Sequence, residues 1–302
     1  MNKGLMTLKR SLISVSGPDH MTFLQGLITN DVLKTESSHL VYSLMLTPQG
    51  RYLFDFFIFK TSQGVCIDIA TENKDKFMQR LRVYQLRADV KVEDVSERWK
   101  VIVFPPTTED PSSGALSLGL GEIQPYKGGI LAQDPRVSSL GLRLYSSIDD
   151  RDQDAFDRFG MSLSEEAYHK RCTQDGIPLD IHDFIPEKTI PLEYRMDLLN
   201  AIDWDKGCYL GQELTARTKY RGEVHKYLYP FDIIGPTPAF RDSIYLDGVK
   251  VGAMRGSCED KGLGLLRKSF VDQAMQQGKK LTCGQAFLIP YHPGWASTTA
   301  ES

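Results

Sequence analysis

Two apolar runs, HLVYSLML (residues 39–46) and RYLFDFFIF (residues 51–59), flank the turn-forming tetrapeptide TPQG. Pro and Gly between two such runs predict a β-hairpin over residues 39–60. Asp55 interrupts the second run, and a carboxylate among Phe54, Phe56 and Phe57 must point to solvent, pair, or serve a pocket, because unpaired burial is costly. Strand alternation sets it on the face opposite Phe54 and Phe56, which allows a solvated or edge position.

Around the hairpin the chain alternates strand and helix. SLISVS (Ser11–Ser16) reads as a first strand, and GPDHMTFLQGLITN (residues 17–30) as a helix started by Pro18, with Phe23, Leu24, Leu27 and Ile28 on its core face. VCIDIA is a strand. ENKDKFMQRLRVYQ is a helix capped at Thr71, with Phe77, Leu81 and Tyr84 at helical spacing, and ADVKVEDVS is a half-exposed strand. Strand, helix, strand at this spacing suits a ferredoxin-like module. WKVIVF, GGILAQDPR and GLRLYSS add strands, and PPTTEDPSSG between them is a polar loop. A helical region follows Asp152, including SEEAYHKRCTQDG, capped at Ser164 and stopped at Gly176. Pro178, Pro186 and Pro191 make residues 176–204 an extended connection. Beyond Gly222 come short strands and turns: VHKYLYPFDIIG, SIYLDGVKVGAMRGS, KGLGLLRKSF and KLTCGQAFLIPY. With Asp247-Gly248 as a hairpin turn, they predict a small antiparallel barrel or sandwich over residues 224–295, before a loose tail.

The densest chemistry lies in KGCYLGQE, Lys206 to Glu213. Gly207 and Gly211 break any incoming helix, while QELTARTKY forms one that stops at Arg221-Gly222. This predicts a tight loop feeding a helix N-terminus, where the dipole, Lys206, Arg217 or Arg221 would lower the pKa of Cys208. A buried, inert Cys208 is the competing reading. Five Lys or Arg between Lys206 and Lys226 form a basic patch that a solvated helix face also explains.

KGCYLGQELTARTKYRGEVHKYL resembles the signature of the folate-binding YgfZ family of iron-sulfur cluster assembly factors: KGC, an aromatic, any residue, GQE, then Ala-Arg and Tyr-Arg-Gly. The matching positions are Lys206, Gly207, Cys208, Tyr209, Gly211, Gln212, Glu213, Ala216, Arg217, Tyr220, Arg221 and Gly222. FLQGLITND (Phe23–Asp31) and YQLRADVKVED, with Tyr84, Arg87, Val90 and Asp94, resemble two further family motifs. More distantly the family is similar to the aminomethyltransferase, or T-protein, of the glycine cleavage system. The resemblance implies an α+β fold. Interleaved ferredoxin-like modules over residues 1–223 would form a T-protein-like folate-binding core, followed by a C-terminal antiparallel β-barrel over residues 224–302.

The implied function is an accessory factor that binds tetrahydrofolate or a one-carbon derivative and supports assembly or repair of iron-sulfur clusters. Its partners would be folate, iron-sulfur assembly proteins and client enzymes. Cys208, Lys206 and Asp55 are the candidate reacting groups, and Lys206, Gly207, Gly211 and Gln212 are also expected to shape the loop that carries Cys208. Glu193 is the first candidate for the amino-pyrimidine edge of the pterin and Glu187 the second, since a carboxylate pairs with such an edge in bidentate fashion. Trp204, Tyr209 and Gln212 are further ligand candidates. Arg217 and Arg221 would anchor a negatively charged group such as the glutamate tail, and Arg87 would meet a ligand carboxylate or form a structural salt bridge.

The competing functions are aminomethyl transfer and, indirectly, tRNA modification through iron-sulfur enzymes. Where the T-protein carries a Gly-Gly-Ile-x-Asp-Asp stretch, this chain reads QGRYLFDFF with one carboxylate, which weighs against methylene transfer. The net charge of −3 over 302 residues argues against broad nucleic-acid binding. Five scattered cysteines without a CxxC pair suit neither a disulfide framework nor a closed metal site, so no metal ligands are assigned. No segment approaches a membrane span, and the N-terminus lacks both an apolar signal core and an Arg- and Ser-rich leader, which predicts a cytoplasmic protein. A monomer is expected because no long apolar seam appears.

Overall fold

The computed structural model describes residues 6–106, 118–150, 153–222 and 224–296. Two compact units emerge, both discontinuous in sequence. The first combines Met1–Pro48, Leu53–Glu165 and Leu199–Gln212; the second combines Gln49–Tyr52, Glu166–Leu198 and Glu213–Ser302.

In the first unit the elements run β1 (Arg10–Ser16), α1 (His20–Gln25), β2 (Val41–Leu46), β3 (Tyr52–Thr61), β4 (Gly64–Ala70), α2 (Lys74–Gln85) and β5 (Lys91–Asp94). These strands form one sheet in the order β2-β3-β4-β1-β5. The predicted hairpin is therefore one edge of a five-stranded sheet. One face of that sheet packs on both helices: Ile13, Val15, Phe56, Ile58 and Ile67 meet Phe23 and Leu24 of α1 and Phe77 and Leu81 of α2. Then come β6 (Trp99–Phe104), β7 (Ile123–Tyr126), β8 (Gly129–Gln133), β9 (Leu142–Ser147) and α3 (Gln153–Phe159), the strands pairing as β6-β9-β8-β7.

The other face of the first sheet is not solvated. Phe57 lies under the Arg143 guanidinium at 4.1 Å, and Phe59 meets the Tyr145 ring at 4.6 Å, both partners coming from β9. Asp68 on β4 accepts from Arg143 at 2.8 Å, from the Tyr145 hydroxyl at 2.8 Å and from Arg10 at 2.5 Å. Burial by itself would raise the Asp68 carboxyl, but the Arg10 and Arg143 guanidiniums outweigh it and hold the group below its ordinary range. A layer of paired charges thus fills the space between two sheets.

In the second unit α4 (Glu165–Gln174), α5 (Asp180–Asp183) and α6 (Gln212–Arg221) precede β10 (Lys226–Ile234), β11 (Ser243–Leu246), β12 (Val249–Cys258), β13 (Lys261–Arg267), α7 (Lys268–Gln276), β14 (Leu281–Cys283) and β15 (Ala286–Pro290). The six strands close as β10-β13-β12-β11-β14-β15, the antiparallel barrel expected from the sequence. Asp247 and Gly248, both at positive φ, make the tight turn between β11 and β12. Gly262 stands opposite Phe231 in register, and a Cβ there would fall 2.5 Å from the Phe231 ring, so the barrel interior needs a glycine at that point.

Several expectations change. Residues 17–30 do not form one helix, because α1 ends at Gln25. β7 was not read from the sequence, and KSF, read as the end of a strand, opens α7 instead. Thr71 belongs to a short 3-10 turn without a side-chain cap. Most of the PPTTEDPSSG loop, and the last residues of the tail, lie outside the described residues.

Candidate functional site

Two of the sequence stretches singled out above come together in the first unit. After α1 the backbone leaves the helical path, and its carbonyls turn to the loop that follows Leu199. Lys206, 8% exposed, donates from Nζ to the carbonyl oxygens of Gln25 at 3.0 Å, Ile28 at 2.7 Å and Asn30 at 2.7 Å. Three donors on one ammonium meet three acceptors. The Leu210 amide donates to Gly26 and the Asp203 amide to Thr29, while the Thr29 hydroxyl reaches the Ala201 carbonyl at 2.6 Å. A longer α1 would have consumed these carbonyls internally, which is the physical reason it stops early.

Burial pulls the Lys206 ammonium down to about 8, against the opposing influence of Asp31 and Asp203. Its own amide and that of Asp205 both donate to Asp203 Oδ1, and Asp203 Oδ2 pairs with Lys34 at 2.8 Å. Burial would raise the Asp203 carboxyl, yet the Lys34 bond and the Asp205 amide bring it below its ordinary value. Lys206 is thus a structural clamp rather than a free base. Its Nζ also lies 5.2 Å from the centroid of the Tyr209 ring, which is buried.

This clamp presents Cys208, which is exposed, whereas Cys66, Cys172 and Cys283 are buried and Cys258 half-buried. The reading of Cys208 as a buried residue therefore does not hold. The thiol precedes the first residue of α6 by four positions, so it does not sit in the first turn of that helix. Gly211 has φ +84°, the left-handed conformation needed to enter α6, whereas a Cβ on Gly207 would meet open space. Trp204 is half-buried in the same loop.

Asp55 is not on a solvated edge. It is 6% exposed on β3, and the Tyr42 hydroxyl donates to its Oδ2 at 2.7 Å. The alternation rule misled because both faces of this sheet are covered. Asn30 links the two places: its Nδ2 donates to the Tyr42 carbonyl at 2.8 Å, and its own carbonyl accepts from Lys206. Asn30, Thr29, Tyr42 and Asp203 were not identified as site residues. The resemblance carried by FLQGLITND was the one signal that pointed to the first two.

The remaining candidates belong to the second unit or to exposed surface. Glu193 sits in a 3-10 turn, Pro191–Tyr194, half-buried and without a side-chain hydrogen bond among the described residues. Burial raises its carboxyl above the ordinary value, against the pull of Lys226, Arg255 and Arg51. Beside it the Arg255 Nε donates to the Tyr194 hydroxyl at 2.8 Å. Glu187 is exposed, at φ +64°, with its amide bonded to the Tyr52 carbonyl. Gln212 is half-buried at the start of α6, and Arg217 and Arg221, one turn apart on that helix, are exposed. Arg87, in the first unit, is exposed and forms no ion pair among the described residues, which corrects the structural salt bridge. Also among the described residues, no group of three or more His, Cys, Asp or Glu side chains is arranged to hold a metal ion.

An α+β sheet region followed by a closed barrel is the architecture of the aminomethyltransferase class. Residues 9–105 match the family model described as the GCVT N-terminal domain, and residues 226–298 match the CAF17 C-terminal beta-barrel domain. The solved aminomethyltransferase T of the glycine cleavage system from Bartonella henselae superposes with a TM-score of 0.68 over 96% of this chain and 85% of that one. Its sequence identity is 14%, so the likeness is one of fold.

Among curated proteins, the iron-sulfur cluster assembly factor IBA57 homolog of Neurospora crassa is 33% identical over 240 residues, 76% of this chain and 54% of the relative. The IBA57 factor of Mus musculus is 30% identical over 282 residues, 87% of this chain and 76% of the relative. That of Homo sapiens is 29% identical over 275 residues, 85% and 75% of the two chains. The chain belongs to the IBA57 family, which bears out the family resemblance of its motifs. It spans about half the length of the fungal relative and about three-quarters of the mammalian ones. These relatives are mitochondrial by name, and that overturns the cytoplasmic expectation. Location is set by targeting signals that receptors read and is not written in the fold. Among the described residues no helix is long and apolar enough to cross a membrane.

Proposed function

We propose that this protein is a tetrahydrofolate-binding accessory factor in the assembly or repair of iron-sulfur clusters, with Cys208 as the thiol that meets the cluster. The relatives' names supply the cluster function. The observation that carries the residue assignment is the exposed Cys208 two positions from a lysine fixed to three backbone carbonyls. A thiol on a rigid, solvent-facing loop is accessible to a partner without prior unfolding.

In this reading the cluster is cargo. Cys208 loses its proton to solvent and supplies one thiolate to iron, displacing one ligand, with no change of oxidation state. Clusters of this kind are usually held by several thiolates, so the other ligands come from the partner. Glu193 fits the folate role, since a half-buried carboxylate without a hydrogen bond is a ready acceptor for the N–H groups of an amino-pyrimidine edge.

Aconitase activity in cells lacking the gene, rescued with wild type or with Cys208→Ala at equal protein level, tests the thiol. Restoration by wild type alone is the expected result, with the variant's stability within about 0.5 kcal/mol of wild type because the side chain is exposed. Full rescue by the variant would remove Cys208 from the function. Titration of tetrahydrofolate into the purified full chain tests the second half: Glu193→Gln should weaken binding roughly tenfold or more. Equal affinity of both proteins, or no binding by wild type, would refute the folate assignment alone.

A further inference from the structure

Gly207 and Cys208 are exposed, and among the described residues neither backbone amide donates a hydrogen bond. The direction of the thiol is therefore set by the residues on either side. On the exit side Tyr209 is buried, and the Leu210 amide donates to the Gly26 carbonyl at 3.0 Å. On the entry side the Lys206 ammonium is fixed, but a flexible four-carbon stem tethers its backbone only loosely. The backbone itself is held by Asp203. Its Oδ1 accepts from the Asp205 amide at 2.8 Å and from the Lys206 amide at 3.1 Å, three and two residues before Cys208. An Asx turn of this kind sets the path of the chain over the residues it spans.

The second oxygen of Asp203 is aimed by Lys34, whose Nζ lies 2.8 Å from Oδ2 and also donates to Asn30 Oδ1 at 3.1 Å. The Asp203 amide donates to the Thr29 carbonyl at 3.0 Å. The carboxylate is thus fixed through both oxygens and through its own backbone, and Lys34 opposes the side-chain rotation that would release the two amides. We infer that Asp203, oriented by Lys34, is the positioning residue of the Cys208 thiol: it holds the entry to the loop so that Cys208 meets a partner in one direction. Ordering the loop within the fold removes an entropy cost that a mobile thiol would meet at each encounter. The inference rests on the reading of Cys208 as the thiol that meets the cluster, and Asp203 acts through the loop without touching the cluster.

Fluorine NMR of a trifluoromethyl label on Cys208, in the full chain carrying Cys258→Ser, reads the motion of the loop, since Cys66, Cys172 and Cys283 are buried. With Asp203 intact the line should be as broad as the tumbling of the whole folded chain requires. Asp203→Ala frees both amides and should narrow it, while the Lys206 clamp and the bond to Thr29 remain. Asp203→Asn keeps an acceptor at Oδ1 and should stay broad. In cells lacking the gene, Asp203→Ala at equal protein level should restore aconitase activity roughly threefold or more less well than wild type, and Asp203→Asn should recover much of that difference. Should Asp203→Ala not fold, Lys34→Met at an exposed position takes its place and should narrow the line in part. A purely structural aspartate would lower the melting temperature of Asp203→Ala and leave the line of the folded protein broad. That result, a broad line in Lys34→Met where it stands in, or equal narrowing by the Asn and Ala variants would overturn the inference. Full rescue by Cys208→Ala alongside the expected line widths would instead refute the cluster reading and leave the positioning of the thiol standing.

Discussion

Replacing Lys206 by Met keeps much of the side-chain volume and removes all three donors. The ammonium holds carbonyls at 3.0, 2.7 and 2.7 Å, and leaving a buried acceptor unpaired costs about 1–3 kcal/mol each. Against this, Met avoids burying a charge, and the descent of the Lys206 pKa to about 8 shows that desolvation opposes the charged form. The balance puts the loss at roughly 2–4 kcal/mol, read as a lower urea midpoint at pH 7. Hydrogen exchange should accelerate first at the amides of Leu210 and Asp203, whose acceptors are Gly26 and Thr29.

The pH dependence has a definite sign. Because the folded pKa of about 8 lies below the ordinary 10.5, the unfolded chain binds more protons between those values. Wild type therefore gains stability relative to the variant as pH rises from about 8 to about 10.5, and the gap widens. A loss under about 1 kcal/mol at pH 7 would refute the clamp, and a gap that narrows with rising pH would refute the lowered Lys206 pKa.

Asp68→Asn leaves Arg10 and Arg143 facing a neutral amide between two sheets, and should cost about 3–5 kcal/mol in chemical denaturation. Since the Asp68 carboxyl is held below 3.8, the stability it contributes is present above that pH and lost as pH falls through its folded value; acid unfolding of the Asn variant should lack that component. For Glu193 the shift runs the other way. Its carboxyl is raised above 4.5, so between 4.5 and the folded value the native chain binds more protons and stability falls with rising pH. Glu193→Gln should remove that decline and be at least as stable as wild type at pH 7 by thermal melting.

The barrel was legible because several of its signals are local, with Asp247-Gly248 turning β11 into β12 between alternating runs, although its closure pairs β10 with the distant β15. The hairpin over residues 39–60 was legible for the same reason. Helix α7 was missed because KSFVDQAMQ follows an apolar strand without a side-chain cap to mark its start. Sequence alone marked Lys206 and Cys208 as unusual, through the glycines and the family signature, and gave Lys206 both a reacting and a loop-shaping role. Only the tertiary structure decided that Lys206 is spent on three carbonyls of a segment far earlier in the chain, leaving Cys208 as the exposed group. It likewise decided that Asp55 is buried, with the Tyr42 hydroxyl as a partner. The physical reason is common to these cases: turns and caps are satisfied within a few residues, whereas a buried ammonium or carboxylate finds its partners wherever the fold brings unpaired polar groups together.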